Sequence, residues 1–123
     1  MKNSSNNNVL TKIIKHIDNK LGQDTIILDL GGISSLCDYF IITSASSSPQ
    51  AKAIADELQK ELEKEQIYLS HKEGYDAARW ILLDFGDFII HVFHKEDREF
   101  YNLEEIWRDA SPLNIDKLSS DNV

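Results

Sequence analysis

The chain has 123 residues, of which 41% are hydrophobic, and its 13 Lys and Arg stand against 21 Asp and Glu, giving a formal net charge of -8. This length supports one domain with a modest core and is too short for two. Nucleic-acid phosphates repel an acidic surface, and no run of Lys or Arg offers a local exception. The composition therefore disfavours direct nucleic-acid binding and favours a basic protein partner.

The single cysteine, Cys37, excludes an internal disulfide and a multi-cysteine zinc site. The start of the chain carries one lysine and no apolar run before Val9, so it predicts neither a secretory signal nor a transit peptide. No apolar run approaches the roughly 18 residues that a membrane helix needs. These features predict a soluble protein of a reducing compartment, the cytoplasm.

Both ends of the sequence are polar. Residues 1–8 are nearly all Asn and Ser, and residues 111–123 are polar with a proline at position 112. Neither segment has much apolar surface to bury, so residues 1–8 are predicted to be a disordered N-terminal tail and residues 111–123 a flexible C-terminal tail. The predicted domain spans residues 9–110.

Three segments have the apolar periodicity of one-sided helices. The first covers residues 10–21, with Gly22 as its C-terminal cap. The second has Ser48 as N-cap and Pro49 in its first turn, and its stripe is formed by Ala51, Ile54, Ala55, Leu58 and Leu62. A short last helix is predicted after Asn102, its N-cap, with a stripe of Leu103, Ile106, Trp107 and Ala110.

Strands are predicted where β-branched and aromatic residues are bounded by turn residues, in residues 25–30, 38–45, 66–71, 79–85 and 88–93. Gly86 and Asp87 fit a two-residue hairpin turn with glycine in its first central position, so the last two strands are predicted to be antiparallel neighbours. Helices interleaved with about five strands predict a mixed-sheet α/β or α+β fold.

The last two predicted strands are apolar on both faces. Because side chains alternate along a strand, the first of them divides into two sets: Ile81, Leu83 and Phe85 on one face, and Trp80, Leu82 and Asp84 on the other. Such strands are either buried on both faces or keep one face for a partner.

Trp80 and Leu82 are predicted to form the exposed part of this surface. Tryptophan is enriched at binding hot spots, and the charged neighbours Arg79 and Asp84 would supply a rim. Two alternatives remain open from the residues alone. Trp80 packs under the first or last helix, or it forms a homodimer seam with Leu82.

Four residues could be imagined as metal ligands: His71, His91, His94 and Cys37. On one strand His91 and His94 point to opposite faces, so they cannot both reach one ion without a bulge. We interpret His91 as a hydrogen-bonded core histidine, and no metal or other cofactor is predicted.

A catalytic alternative rests on Gly31 and Gly32 followed by Asp38 on a strand. This order is typical of nucleotidyltransferases, which hold Mg²⁺ with two alternating carboxylates after a small-residue turn. The second carboxylate position is Phe40 here. The alternative function is therefore a minimal Mg²⁺-dependent nucleotidyltransferase that uses Asp38 with another carboxylate such as Asp84.

Several blocks occur in a characteristic order: Asp38-Tyr39-Phe40, Glu73-Gly74, the run WILLDFGD from Trp80 to Asp87, His91-Val92-Phe93, and the run REFYNLEEIW from Arg98 to Trp107. Together they resemble the ribosomal silencing factor family, also called Iojap, over about residues 10–110. The resemblance implies a mixed α/β sheet related to nucleotidyltransferases but without their catalytic carboxylate pair, in agreement with Phe40.

The resemblance also implies a function. Such a protein is not an enzyme; it docks on the fourteenth large-subunit ribosomal protein and blocks the small subunit from joining, so that translation falls when nutrients are scarce. Family members are often dimers, which makes a homodimer a second expected partner. The implied docking residues are Arg79, Trp80, Leu82, Asp84, Phe85 and Gly86, whereas Arg98, Tyr101 and Trp107 are given a packing role. Phe85 stands where the family often has tyrosine, which keeps the apolar contact and removes a hydroxyl.

Overall fold

The computed structural model describes residues 2–35, 37–102, 111–112 and 115. Within these ranges the elements are α1 (Lys2–Asn19), β1 (Gln23–Asp29), β2 (Tyr39–Ala45), α2 (Ser48–Glu63), β3 (His71–Glu73), β4 (Trp80–Asp84), β5 (Phe88–His94), α3 (Lys95–Tyr101) and β6 (Ser111–Pro112). The strands form one sheet in the order β3-β4-β5-β2-β1-β6. The pairing of β2 with β5 is parallel and the other pairings are antiparallel. The predicted α/β fold with a mixed sheet is thus confirmed.

The larger core lies between one face of the sheet and the helices α1 and α2. Every predicted residue of the α2 stripe is buried, because that stripe packs on the strands. From α1, Leu10, Ile13 and Ile17 are buried, and from β4, Ile81 and Leu83 join the same cluster. We call this side of the sheet the helix-covered face.

The end of α1 differs from the predicted glycine cap. The helix ends at Asn19, and Leu21, which is 71% exposed, takes the positive φ of 65°. The Gly22 amide donates to the carbonyl of Ile17 over 2.9 Å. A Cβ at Gly22 would overlap the Ile17 side chain and come within 2.8 Å of Thr43 Oγ1. Glycine is needed here for close packing between the helix end and β2, not for a left-handed conformation.

Two further boundaries are corrected. Ser47, not Ser48, caps α2, since its Oγ accepts from the Gln50 amide over 3.2 Å. The third strand was predicted over residues 66–71, but β3 covers His71–Glu73. Residues 66–67 instead close α2: Gln66 has a φ of 62°, and the next amide donates back to the Leu62 carbonyl over 3.0 Å.

The helix α3 was not predicted. It follows β5 directly, and His94 Nδ1 accepts from the Glu96 amide as its N-cap. Asn102 ends α3 in a left-handed conformation, with φ 44° and ψ 60°. The predicted last helix, residues 103–110 with Trp107, lies outside the described residues.

The structure also assigns elements to both predicted tails. The helix α1 begins at Lys2 and so runs through residues 2–8. Extending a helix from packed turns costs little, so polar residues can continue it. At the other end, β6 pairs with Leu28 and Asp29 of β1, and its proline sits on an edge strand, where proline is tolerated. The boundaries 1–8, 9–110 and 111–123 stay a prediction.

The predicted hairpin between β4 and β5 is confirmed. Gly86 has a φ of 95°, and the Phe85 amide donates to the Phe88 carbonyl over 3.0 Å. This turn sets the register that places Asp84 opposite Ile89. Among the described helices, none combines the length and the apolar content needed to cross a bilayer.

Candidate protein-binding surface

The second face of the sheet, opposite α1 and α2, is built by strand register. On β4 it carries Trp80, Leu82 and Asp84, which lie opposite Phe93, His91 and Ile89 of β5. A smaller apolar cluster lies on this side, formed by Leu28, Leu30, Cys37, Phe40, Ile42 and Phe93. The sequence prediction that the two strands are apolar on both faces is therefore confirmed.

Four rings form an aromatic cluster on this face: Phe40, Trp80, His91 and Phe93. Trp80 stacks on Phe93 with ring centroids 4.9 Å apart and an interplanar angle of 26°. Phe40 meets His91 edge to face at 4.6 Å. Both geometries are favourable for aromatic pairs. The cluster fixes the base on which Trp80 rests.

His91 is a core histidine, as the sequence predicted. It is 3% exposed, and its Nδ1 accepts a hydrogen bond from Trp80 Nε1 over 3.0 Å. Burial disfavours the charged imidazolium and lowers the pKa of His91 to about 4. The ring is therefore neutral at the pH of a cell.

Trp80 and Leu82 are half-buried rather than exposed. The prediction of an exposed pair is corrected in this respect, because the indole lies against Phe93 and turns its N–H inward to His91. The large hydrophobic residues that the structure describes as exposed are Leu21, Ile33 and Tyr68. We define the Trp80 patch as the half-buried residues Trp80, Leu82, Asp84 and Ile89.

Of the other predicted docking residues, Phe85 is on the opposite face from the Trp80 patch and Gly86 is in the turn that follows it. Phe85 lies on the helix-covered face, is 8% exposed and stacks on Phe88 at 5.3 Å. Gly86 sits in the exposed turn after Asp84, whose Oδ1 accepts from the Gly86 amide over 2.8 Å. Alternation along β4 explains the separation, since positions 80, 82 and 84 share a face that position 85 does not.

Arg79 contacts α3 rather than adding a free positive charge to the patch. Its Nε and Nη2 donate to both carboxylate oxygens of Asp97 over 2.8 and 2.9 Å, and Nη2 also reaches Glu96 at 3.3 Å. These bonds raise the pKa of Arg79 and lower the pKa of Asp97. The arginine charge is thus paired within the chain, while the carboxylates of Glu73 and Asp84 flank Leu82.

A pocket of about 310 Å³ beside the patch is lined by Glu73, Gly74, Trp80 and Leu82. Glu73 lies directly across from Leu82 in the pairing of β3 with β4. Ile89 and Glu73 were missed as surface residues in the sequence. Ile89 could have been predicted from the hairpin turn, because the turn fixes Ile89 opposite Asp84. Glu73 could not, because the third strand was predicted to end before it.

The four residues considered as metal ligands, for which no metal site was predicted, are His71, His91, His94 and Cys37. Within the described ranges no three His, Cys, Asp or Glu side chains could share an ion. His91 and His94 each use Nδ1 to accept a bond from within the chain. Cys37 is buried. Its burial, and to a smaller extent the nearby carboxylates of Asp84 and Asp38, raises the pKa of its thiol. A raised pKa disfavours the reactive thiolate.

Of the two carboxylates in the catalytic alternative, Asp38 directly precedes β2 and Asp84 is the last residue of β4. Asp38 is exposed, and its amide donates to the Asp87 carbonyl over 2.7 Å. Phe40, the next residue on the same side of the strand, is buried in the aromatic cluster. The position where a transferase would hold its second carboxylate is thus part of the apolar core.

Comparison with known proteins agrees with this fold. A family model described as "Ribosomal silencing factor during starvation" matches residues 2–123. A ribosomal silencing factor from Halalkalibacterium halodurans is 39% identical over 116 residues, which cover 94% of this chain and 99% of that protein. A crystal structure from Bacillus halodurans superposes with a TM-score of 0.78 at 37% identity, covering 87% of this chain and 97% of the other.

A relative from Mus musculus is named "Mitochondrial assembly of ribosomal large subunit protein 1". It is 36% identical over 73 residues, which cover 57% of this chain and 32% of that protein. The family model and the bacterial relative span nearly the whole sequence. The chain therefore belongs to the ribosomal silencing factor family.

Proposed function

We propose that this chain silences ribosomes without catalysis, by docking its Trp80 patch on a basic protein of the large subunit and so keeping the small subunit away. The partner that the family resemblance implies is the fourteenth large-subunit protein. The names of the bacterial and mouse relatives support a ribosomal, large-subunit partner. Under nutrient limitation such a block would lower translation.

The observation that carries this proposal is the half-buried apolar surface of Trp80, Leu82 and Ile89 on the face opposite α1 and α2. The side chains stand on a hydrogen-bonded sheet and on the aromatic cluster, so they are held in place before binding. A preorganised aromatic anchor loses little conformational entropy on docking, which is a property of binding hot spots.

Charge favours a protein partner over ribosomal RNA. The chain has a net charge of -8, and the carboxylates of Glu73 and Asp84 lie next to the apolar residues of the patch. Phosphates are repelled by such a rim, whereas a basic ribosomal protein is attracted to it. A complex of this kind blocks subunit joining by steric exclusion, for which no catalytic residue is required.

Subunit joining measured by light scattering tests the proposal. Large subunits incubated first with excess chain are expected to form few complete ribosomes when small subunits are added. Adding the chain after the ribosomes have formed serves as the order-of-addition control and is expected to have a much smaller effect. The proposal is contradicted if joining is unchanged while co-sedimentation shows the large subunits to be saturated with the chain.

A further inference from the structure

His91 combines two features that a packing role does not require. Trp80 Nε1–H is only a donor, so His91 Nδ1 is the acceptor of their bond, and the proton of the neutral ring lies on Nε2. That Nε2 is buried and has no hydrogen-bond partner among the residues that the structure describes. A buried polar group without a partner is destabilising, so an apolar side chain would serve the core better. The imidazole supplies a hydrogen-bond acceptor for the indole N–H, which an apolar side chain cannot supply.

The position of His91 suits this role. It lies directly opposite Leu82 of the patch and next to Phe93, which is opposite Trp80. Phe93 stacks on the indole and sets the plane of the ring, while the bond to His91 sets which edge of the ring faces inward. An indole without an internal acceptor would turn its N–H toward water.

We propose that His91 is a positioning residue, which holds the indole of Trp80 in the orientation that docks on the partner. This inference rests on the proposed function, since it assumes that Trp80 is the docking anchor. Ordering a tryptophan before binding removes the entropic cost of ordering it in the complex. Without the acceptor, affinity for large subunits is expected to fall roughly three- to tenfold.

Two substitutions of similar bulk separate positioning from packing. In His91→Asn the amide oxygen takes a place near that of Nδ1 and can accept from the indole. His91→Leu fills the space without an acceptor. The inference predicts near-normal affinity for the asparagine variant and the three- to tenfold loss for the leucine variant. Equal losses in both variants, or no loss in the leucine variant, would overturn it.

The indole proton supplies a second readout that does not depend on the ribosome. In ¹H–¹⁵N spectra the Trp80 indole signal, assigned through Trp80→Phe, is expected to exchange with solvent slowly in the native chain and in His91→Asn. In His91→Leu the exchange should be at least tenfold faster. Unchanged exchange in His91→Leu would show that the bond does not hold the ring.

If His91→Leu does not fold, 3-benzothienylalanine at position 80 replaces it in the binding test, because this residue keeps the shape of tryptophan and lacks the N–H. It should bind three- to tenfold more weakly than the native chain, and native affinity would overturn the inference.

Trp80→Ala in the same binding assay separates the two proposals. If Trp80→Ala binds normally the docking proposal fails, whereas if only the His91 variants bind normally the positioning role alone fails.

Discussion

Replacing Gly74 with alanine is expected to lower the free energy of unfolding by about 3 kcal/mol, the sum of overpacking and a left-handed conformation at a non-glycine residue. Gly74 has a φ of 75°, and a Cβ there would overlap the carbonyl oxygen of Trp80. Its own carbonyl accepts from the Ala78 amide over 2.9 Å, so the turn between β3 and β4 cannot open without losing this bond. Urea denaturation followed by circular dichroism measures the loss.

Gly32→Ala is the matched control. Gly32 also has a positive φ, 86°, but apart from its chain neighbours no atom of the residues that the structure describes lies within 4 Å of a Cβ built there. Its substitution should cost about 1 to 2 kcal/mol, the conformational part alone. Equal losses in the two variants would contradict the close approach between Gly74 and Trp80 as the source of the larger effect.

Stability is expected to fall steeply as the pH is lowered, and His91 should account for about 3 kcal/mol of the change. The pKa of this side chain is near 6.5 in the unfolded chain and about 4 in the folded protein, where burial opposes its charge. Between these two values the unfolded state binds the proton and the native state does not. The contribution is therefore fully present above about pH 6.5 and is lost as the pH falls toward 4.

Urea denaturation of the native chain and of His91→Leu at a series of pH values checks this expectation. Carboxylates titrate in both proteins, so the difference between the two curves isolates the histidine. The difference should change by about 3 kcal/mol between pH 7 and pH 4. Two parallel curves would contradict the assignment.

Much of the fold could be predicted because local patterns and tertiary packing agree. The α2 stripe, the β4–β5 hairpin and the two apolar faces of β4 follow from periodicity and from one turn with glycine at position 86. The boundaries that were wrong depend on tertiary contacts. The role of Gly22 depends on the close approach of β2 to the end of α1. The bounds of β3 depend on which residues pair with the edge of β4.

The candidate surface was predicted in part for the same reason. Alternation along the strand places Trp80 and Leu82 on one face and Phe85 on the other. The family resemblance, in contrast, implied that all three are docking residues. The half-burial of Trp80 depends on His91 and Phe93, residues of another strand that come opposite β4 only through register. The pairing of Arg79 with Asp97 depends on α3. This helix has only seven residues, which is too short for an apolar periodicity to predict it.

If the Trp80 patch binds the large subunit, Trp80→Ala should weaken binding to the purified fourteenth large-subunit protein. Calorimetry should show a loss of roughly 2 kcal/mol or more, about thirtyfold in Kd, as for hot-spot truncations. Tyr68→Ala, at an exposed aromatic residue outside the patch, is the control and should bind as the native chain does. Native affinity in a Trp80→Ala variant with an unchanged circular dichroism spectrum would show that the Trp80 patch is not the docking surface.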